Sequence, residues 1–113
     1  MAKFRFALWL WDWLFALDAF SFEWDEGNAT KSFQKHGVTC AEAEQVFTEG
    51  RFIPLGKQFE PYVQEPRFAV LGETSNRKLL FLVFTLRDHT IRVISARPMN
   101  EKEREFYASL RQE

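Results

Sequence analysis

The chain has 113 residues, a length typical of one domain with a single core. Aromatic residues make up 17% of it and include 13 Phe and 4 Trp, which suffice to fill a compact core, while a net charge of −1 argues against a strong nonspecific nucleic-acid binder. The single cysteine, Cys40, excludes an intramolecular disulfide and fits a reducing compartment, and no Cys/His set has the spacing of a zinc site.

The charges are unevenly distributed along the chain. Residues 1–50 hold four Lys or Arg and eight Asp or Glu, whereas residues 51–97 hold eight and four. A basic region between acidic ends attracts an anion locally, whatever the total charge. The alternative is that the two halves neutralise each other across the fold, and the sequence leaves both interpretations open.

Residues 1–21 are unusually apolar and are predicted to be an N-terminal extension, separate from a domain at residues 22–113. Asp12 and Asp18 interrupt the apolar run, which argues against a signal peptide and against a membrane-spanning helix. We expect a helix that covers the sheet or binds a partner. Two alternatives remain: an upstream start codon that extends the natural product, and a membrane-surface anchor.

Next in the chain, apolar and acidic residues alternate over residues 22–25, which predicts a short strand. Residues 25–28 supply acidic side chains and an N-cap, which predict a helix over residues 29–36. Gly37 is expected to end that helix. Thr39 and Glu42 have the spacing of a capping box, which predicts a second helix that ends near Glu49.

Residues 51–66 contain Pro54, Pro61 and Pro66 and are predicted to be irregular, with at most a brief strand at residues 52–55. Residues 67–72 read as the next strand, and residues 73–78 as a polar turn.

The stretch 79–97 is the most strand-like in the chain and predicts a β-hairpin with a two-residue turn at residues 88–89. The expected pairs are Thr85–Arg92, Val83–Ile94 and Phe81–Ala96. Arg92 and Arg97 have opposite parity, so a regular strand directs them to opposite faces. They converge only if a bulge or the strand end near residues 95–97 redirects Arg97.

Pro98 ends the sheet, and Asn100 with Glu103 predicts the capped start of a terminal helix. We expect Phe106, Tyr107 and Leu110 on one face of that helix. The resulting order is β-α-α-β-β-β-α, an α+β domain with an antiparallel sheet.

Several short motifs occur together in this order. They are Phe22-Glu23-Trp24-Asp25, Lys35-His36-Gly37-Val38, Glu42-Ala43 with Val46-Phe47, Glu65-x-Arg67-Phe68 with Leu71-Gly72, residues 80–85, Ile91-Arg92-x-Ile94-Ser95-Ala96-Arg97, and Glu103 with Tyr107. With them, residues 22–107 resemble the BrnT family of type II toxin–antitoxin ribonuclease toxins.

The resemblance implies a RelE-like fold and a cytoplasmic protein that cleaves RNA. It also implies neutralisation by a cognate BrnA-like, ribbon–helix–helix antitoxin, dimerisation within the toxin–antitoxin complex, and no membrane role. The sequence departs from the family in its 21-residue extension and in Pro66, which lies between Glu65 and Arg67.

RNA carries its own nucleophile, so a metal-independent ribonuclease needs groups that move protons and stabilise the phosphorane. We expect no metal and no cofactor. The candidate catalytic residues are Arg67, Arg92 and Arg97 for charge stabilisation, with His36 and Glu65 for proton transfer. Lys35 and Tyr107 are candidate substrate-binding residues, and Tyr107 is also an acid–base candidate.

Each candidate also has a structural interpretation. His36 caps a helix end, Glu65 pairs with Arg67, Arg92 pairs with Glu23 or Asp25, and Tyr107 belongs to the core, while Lys35 is solvated. The alternative function is accordingly a non-catalytic module of the same fold that docks a protein partner. A membrane-associated segment on an unrelated core is a third hypothesis.

Overall fold

The computed structural model describes residues 3–6, 21–24, 35–49, 51–62, 64–87 and 90–111. Six strands form one sheet in the order β1-β3-β4-β5-β6-β2. The strands are β1 (Lys3–Arg5), β2 (Ser21–Glu23), β3 (Phe52–Glu60), β4 (Phe68–Glu73), β5 (Leu79–Arg87) and β6 (Thr90–Pro98), and the helices are α1 (Cys40–Thr48) and α2 (Glu101–Arg111).

The α+β class is therefore confirmed, but the wholly antiparallel sheet is wrong. Strand β2 lies parallel to β6, whereas the other neighbouring strands are antiparallel. The order β-α-α-β-β-β-α is not reproduced either, because β1 and a full-length β3 add strands. The relation to a RelE-like fold stays a prediction.

Apolar side chains cover both faces of the sheet. One face, called the α1 face, packs against Ala43, Val46 and Phe47. The ring of Phe47 lies 5.2 Å from that of Phe84 in an edge-to-face contact, a favoured aromatic geometry. The other face, called the α2 face, has a smaller core that includes Leu71, Phe81, Met99 and Tyr107.

The hairpin register contains a bulge that sets the direction of the arginines. Thr85 pairs with Arg92 as predicted, but the register shifts between Val83 and Phe84. The pairs beyond the shift are Val83–Ser95, Leu82–Ala96, Phe81–Arg97 and Leu80–Pro98. The predicted pairs Val83–Ile94 and Phe81–Ala96 are therefore wrong, because Ile94 is the extra residue of the bulge.

The bulge places Arg92 and Arg97 on the same face. Thr85 and Phe81 have the same parity on β5, and they pair with these two arginines. Both arginines consequently lie on the α2 face, which meets the condition that the sequence analysis set for their convergence.

Strand β3 corrects the prediction of an irregular segment over residues 51–66. It extends for nine residues through Pro54, and its register with β4 shifts between Pro54 and Gly56. Pro54 pairs with Val70 immediately before this bulge, and bulges are among the places where a strand tolerates a proline. Gly56 has φ +120° and lies against the backbone of Arg5 in β1, where no side chain fits.

The extension is not helical where the structure describes its start. Residues 3–5 form β1, which pairs antiparallel with β3, and Lys3 forms an exposed 3.1 Å ion pair with Glu60. The helical prediction is thus wrong for residues 3–5. Its remainder, residues 7–20, lies outside the described residues, so the division of the chain at residue 21 stays a prediction.

The predicted helix signals are mostly confirmed. Residues 35–36 are helical and Gly37 has φ +69°, as expected for a glycine after a helix end. Thr39 and Glu42 form both hydrogen bonds of the capping box at the start of α1. The predicted helix start before residue 35 and the hairpin turn at residues 88–89 lie outside the described residues.

Asn100 and Glu103 exchange the predicted reciprocal hydrogen bonds at the start of α2, at 2.9 and 2.8 Å. The expected apolar face of this helix is wrong in part. Tyr107 is buried, but Phe106 and Leu110 are exposed. Within the described ranges, no helix combines the length and apolarity needed to cross a membrane.

Candidate functional site

A group of charged side chains lies at the end of the sheet where β5 finishes and β6 begins. This arginine cluster consists of Glu23, Glu65, Arg67, Arg87 and Arg92. Arg87 donates to Glu65 from Nε at 3.1 Å and from Nη2 at 3.5 Å, and its Nη1 lies 3.9 Å from a carboxylate oxygen of Glu23. The charges of Arg67 and Arg92 also act on Glu65.

Strand register explains why these residues meet. Arg87 lies two residues after Thr85 on β5, so both side chains share the α2 face with Arg92. Arg67 immediately precedes Phe68, which pairs with Phe84, so its position is next to Thr85.

The parallel strand β2 brings in the second carboxylate. Glu23 lies beside Arg92 in the register of β2 with β6. The neighbouring position that the sequence analysis considered for Glu23 and Arg92 is thus confirmed, while the ion pair described for Glu23 is with Arg87.

The surroundings keep Glu65 ionised. Its pKa is lowered chiefly by the hydrogen bond from Arg87, with smaller contributions from the positive charges of Arg87, Arg92 and Arg67. The same pair raises the pKa of Arg87. Glu65 is therefore a deprotonated carboxylate that lies close to three guanidinium groups able to bind an anion.

Thr85 lies under this cluster and is only 1% exposed. Its hydroxyl has no hydrogen-bond partner among the described residues. A buried hydroxyl in this state carries a desolvation cost that a ligand oxygen would relieve.

Arg97 is on the same face but is engaged elsewhere. Its Nη1 and Nη2 donate to the two carboxylate oxygens of Glu103 at 2.8 and 2.9 Å, and its guanidinium carbon lies 4.1 Å from the centre of the Phe81 ring. It lies five residues from Arg92, about 15 Å along an extended strand. These contacts fasten β6 to α2.

His36 and Lys35 are not brought to the cluster. The carbonyl of the adjoining Gly37 accepts a 3.2 Å hydrogen bond from Lys78, which lies just before the start of β5. Arg87 of the cluster lies at the other end of the same strand. Nine strand residues span about 30 Å. The two helical residues therefore lie near the other end of the sheet, where Lys35 is exposed.

Tyr107 is a core residue, 4% exposed. Its hydroxyl donates to Glu73 Oε1 at 3.0 Å and lies 3.3 Å from the carbonyl oxygen of Arg51. It thereby joins α2 to the opposite end of β4 from Arg67. Of the predicted site residues, the structure thus brings together Glu65, Arg67 and Arg92.

The sequence analysis missed Arg87, Glu23 and Thr85 as site residues. The signal for Arg87 was present, since the correctly predicted Thr85–Arg92 pair and a two-residue period already place Arg87 on that face. Among the described residues, no group of three His, Cys, Asp or Glu side chains is arranged to hold a metal ion.

Comparison with known proteins agrees with this fold. The crystal structure of the Brucella abortus ribonuclease toxin BrnT is 21% identical, with a TM-score of 0.54, and the match covers 74% of this chain and 100% of that chain. A search of curated proteins found no match. The family described as "Ribonuclease toxin, BrnT, of type II toxin-antitoxin system" matches residues 24–103, which include every member of the arginine cluster except Glu23. The chain therefore belongs to the BrnT family of ribonuclease toxins of type II toxin–antitoxin systems.

Proposed function

We propose that this chain is an endoribonuclease toxin that cleaves RNA at the arginine cluster without a metal ion. The observation that carries the proposal is the geometry around Glu65, an ionised carboxylate hydrogen-bonded to Arg87 and subject to the charges of Arg67 and Arg92. Guanidinium groups remain charged at any physiological pH and donate in pairs to phosphate oxygens.

In the proposed reaction, Glu65 accepts the proton of the 2′-hydroxyl as that oxygen attacks the adjacent phosphorus. The bond from phosphorus to the 5′ oxygen breaks, leaving a 2′,3′-cyclic phosphate and a 5′-hydroxyl. The departing oxygen takes its proton from water, which reaches the cluster because Glu65 and Arg87 are exposed. Arg67 and Arg92 stabilise the charge that develops on the phosphorane.

Arg87 has a different role, because Glu65 and Glu23 hold its guanidinium from two sides. We infer that it positions Glu65 and lowers the pKa of this carboxyl group. The five side chains together comprise three arginines and two glutamates, so the site retains a net positive charge that favours a phosphate.

Family membership supports an antitoxin as the protein partner. We propose that a ribbon–helix–helix antitoxin neutralises this toxin in the cytoplasm and that the complex contains a toxin homodimer. Co-expression with the cognate antitoxin is expected to suppress RNA cleavage and to yield a complex of higher mass than a single toxin chain.

A second function is favoured by one observation. The ion pairs from Arg87 to Glu65 and Glu23 already neutralise part of the positive charge of the cluster. A mixed set of paired charges of this kind suits a face that binds a protein. In that case the chain is a non-catalytic binding module of the same fold.

RNA cleavage by the purified full chain, in the presence of a chelator, discriminates the two functions. We expect 2′,3′-cyclic phosphate products from the wild type and loss of at least a hundredfold in rate for Arg92→Ala, on the scale of a lost charge-stabilising donor. Arg77→Ala is the matched control, since Arg77 is an exposed arginine in the turn before β5. Absence of cleavage by folded wild type would favour the binding module.

A further inference from the structure

A pocket of about 400 Å³ opens beside β1 and β3. Its lining includes the aromatic rings of Phe6, Phe59 and Tyr62 and the cationic side chains of Arg5 and Lys57. Gln58, Gln64 and Pro66 complete it, so that it combines ring faces, positive charge and amide groups. None of these eight described lining residues is acidic.

The aromatic side chains are exposed to solvent although the sheet has a core that could bury such rings. Tyr62 is 86% exposed and Phe6 62%. The guanidinium of Arg5 lies over the Phe59 ring, with its carbon 4.6 Å from the ring centre. Rings beside cations and open to solvent form a surface on which a planar base stacks while its phosphate meets positive charge.

The pocket adjoins the arginine cluster through one short segment. Gln64 and Pro66 line the pocket, whereas Glu65 and Arg67, which alternate with them, belong to the cluster. A single strand of a few nucleotides that crosses this segment would reach both.

We propose that this pocket binds an unpaired base of single-stranded RNA, together with its phosphate, next to the cleavage site. The inference rests on the proposed ribonuclease function and names the part of the substrate that the pocket takes. Tyr62, Phe6 and Phe59 supply the stacking surfaces, while Arg5 and Lys57 contact the phosphate. Because Arg5 and Phe6 precede the region that matches the family, residues 24–103, this subsite depends on the chain's own N-terminal strand.

The test measures binding without cleavage. A fluorescent RNA hexanucleotide with 2′-fluoro sugars lacks the nucleophilic hydroxyl, and its affinity for the full chain follows from fluorescence anisotropy. Tyr62→Ala and Phe59→Ala are expected to weaken binding about 5- to 150-fold, the range of a lost base–ring stack. Phe106→Ala removes an exposed ring on α2 and is expected to leave the affinity unchanged.

Arg5→Gln provides a second readout, the salt dependence of RNA affinity, which does not depend on whether the variants that lack an aromatic ring fold correctly. Removing one phosphate contact is expected to lower the slope of log affinity against log salt concentration by about 0.7. Circular dichroism establishes that each variant remains folded.

Unchanged affinity in Tyr62→Ala and Phe59→Ala would overturn the proposal, as would absence of RNA binding by the wild type. If those variants instead lose affinity for the antitoxin alone, the pocket belongs to the protein partner and the proposal also fails. Cleavage of ordinary RNA by the wild type is scored separately. If the wild type binds RNA through the pocket but does not cleave it, the subsite is upheld and the proposed reaction is refuted. If the wild type cleaves RNA and the pocket variants bind RNA as tightly as the wild type, the proposed reaction stands and the subsite is refuted.

Discussion

Glu65 and Arg87 are joined by two hydrogen bonds, at 3.1 and 3.5 Å, that link the segment before β4 to the last residue of β5. Both side chains are exposed, so the pair contributes little to the free energy of folding. Its main effect is electrostatic, since the Arg87 hydrogen bond lowers the pKa of Glu65. In the proposed reaction, this coupling would set the pH range in which Glu65 is able to accept a proton.

The pH dependence of cleavage should report this coupling. A general base acts only when deprotonated, so the wild-type rate is expected to fall only below the ordinary glutamate pKa of 4.5. In Arg87→Gln the pKa of Glu65 rises, and the acid limb of the single-turnover rate profile should move to higher pH. Arg77→Gln is the control with an unshifted limb. Coincident limbs for Arg87→Gln and the wild type would refute the role given to Arg87.

The Arg97–Glu103 pair should contribute to stability rather than to cleavage. Although partial burial opposes it, the hydrogen bonds from Arg97 and from the Asn100 N–H lower the pKa of Glu103. A lowered folded-state pKa adds stability above the unfolded-state pKa, and this stability is lost as the pH falls through the folded-state value.

Glu103→Gln, which keeps the cap, should therefore lower the free energy of unfolding by about 1 kcal/mol at neutral pH, after allowance for solvent screening. Urea titrations are expected to show the deficit shrinking as the pH falls through the lowered pKa of Glu103. A deficit that stays constant with pH would mean that the pair is not its cause. RNA cleavage by the folded variant should match the wild type.

Gly56 should be required for the docking of β1. An added Cβ at this position would overlap the carbonyl oxygen of Arg5, and φ +120° is a strained conformation for any other residue. Gly56→Ala is expected to release β1, which amide hydrogen exchange would detect as faster exchange in β1 and in the β3 residues that pair with it. The α1 core, which does not contain Gly56, serves as the internal reference. Unchanged protection of β1 would contradict the described contact.

Thr85→Val tests the buried hydroxyl beneath the cluster. Because Thr85 Oγ1 has no hydrogen-bond partner among the described residues, replacing it by a methyl group should leave the free energy of unfolding within about 1 kcal/mol of the wild type or raise it. If a substrate oxygen forms a hydrogen bond with this hydroxyl, the rate of cleavage by Thr85→Val should fall. Thermal melts and cleavage rates measured on the same samples separate these effects. A large loss of stability would show that the hydroxyl is satisfied in the folded protein.

The sequence allowed much of the hairpin to be predicted, including the Thr85–Arg92 pair, because alternation and turn residues are local signals. It did not reveal the bulge at Ile94, whose position depends on packing across both faces of the sheet. That single extra residue decides whether Arg97 shares a face with Arg92. Strand β3 was missed for a related reason, since a register shift next to Pro54 permits a proline that local rules exclude.

The candidate site was predictable only in part. Glu65, Arg67 and Arg92 were identified through motifs that resemble the family, and the structure brings them together. His36, Arg97 and Tyr107 belong to the same motifs, but position along the sheet separates them from the cluster. Arg97 instead pairs with Glu103, and Tyr107 with Glu73. Membership of the same motifs does not show which residues meet in space, and Tyr107 takes its partner from a segment 34 residues away.

Single-turnover cleavage of RNA by Glu65→Gln tests the central claim most directly. The substitution keeps the size of the side chain and one oxygen that accepts a hydrogen bond from Arg87, but removes its ability to accept the 2′-hydroxyl proton. We predict a rate lower by roughly 10²- to 10⁴-fold, with an unchanged circular dichroism spectrum and unchanged affinity for a non-cleavable RNA. Cleavage at the wild-type rate by the folded variant would show that Glu65 is not the general base of this site.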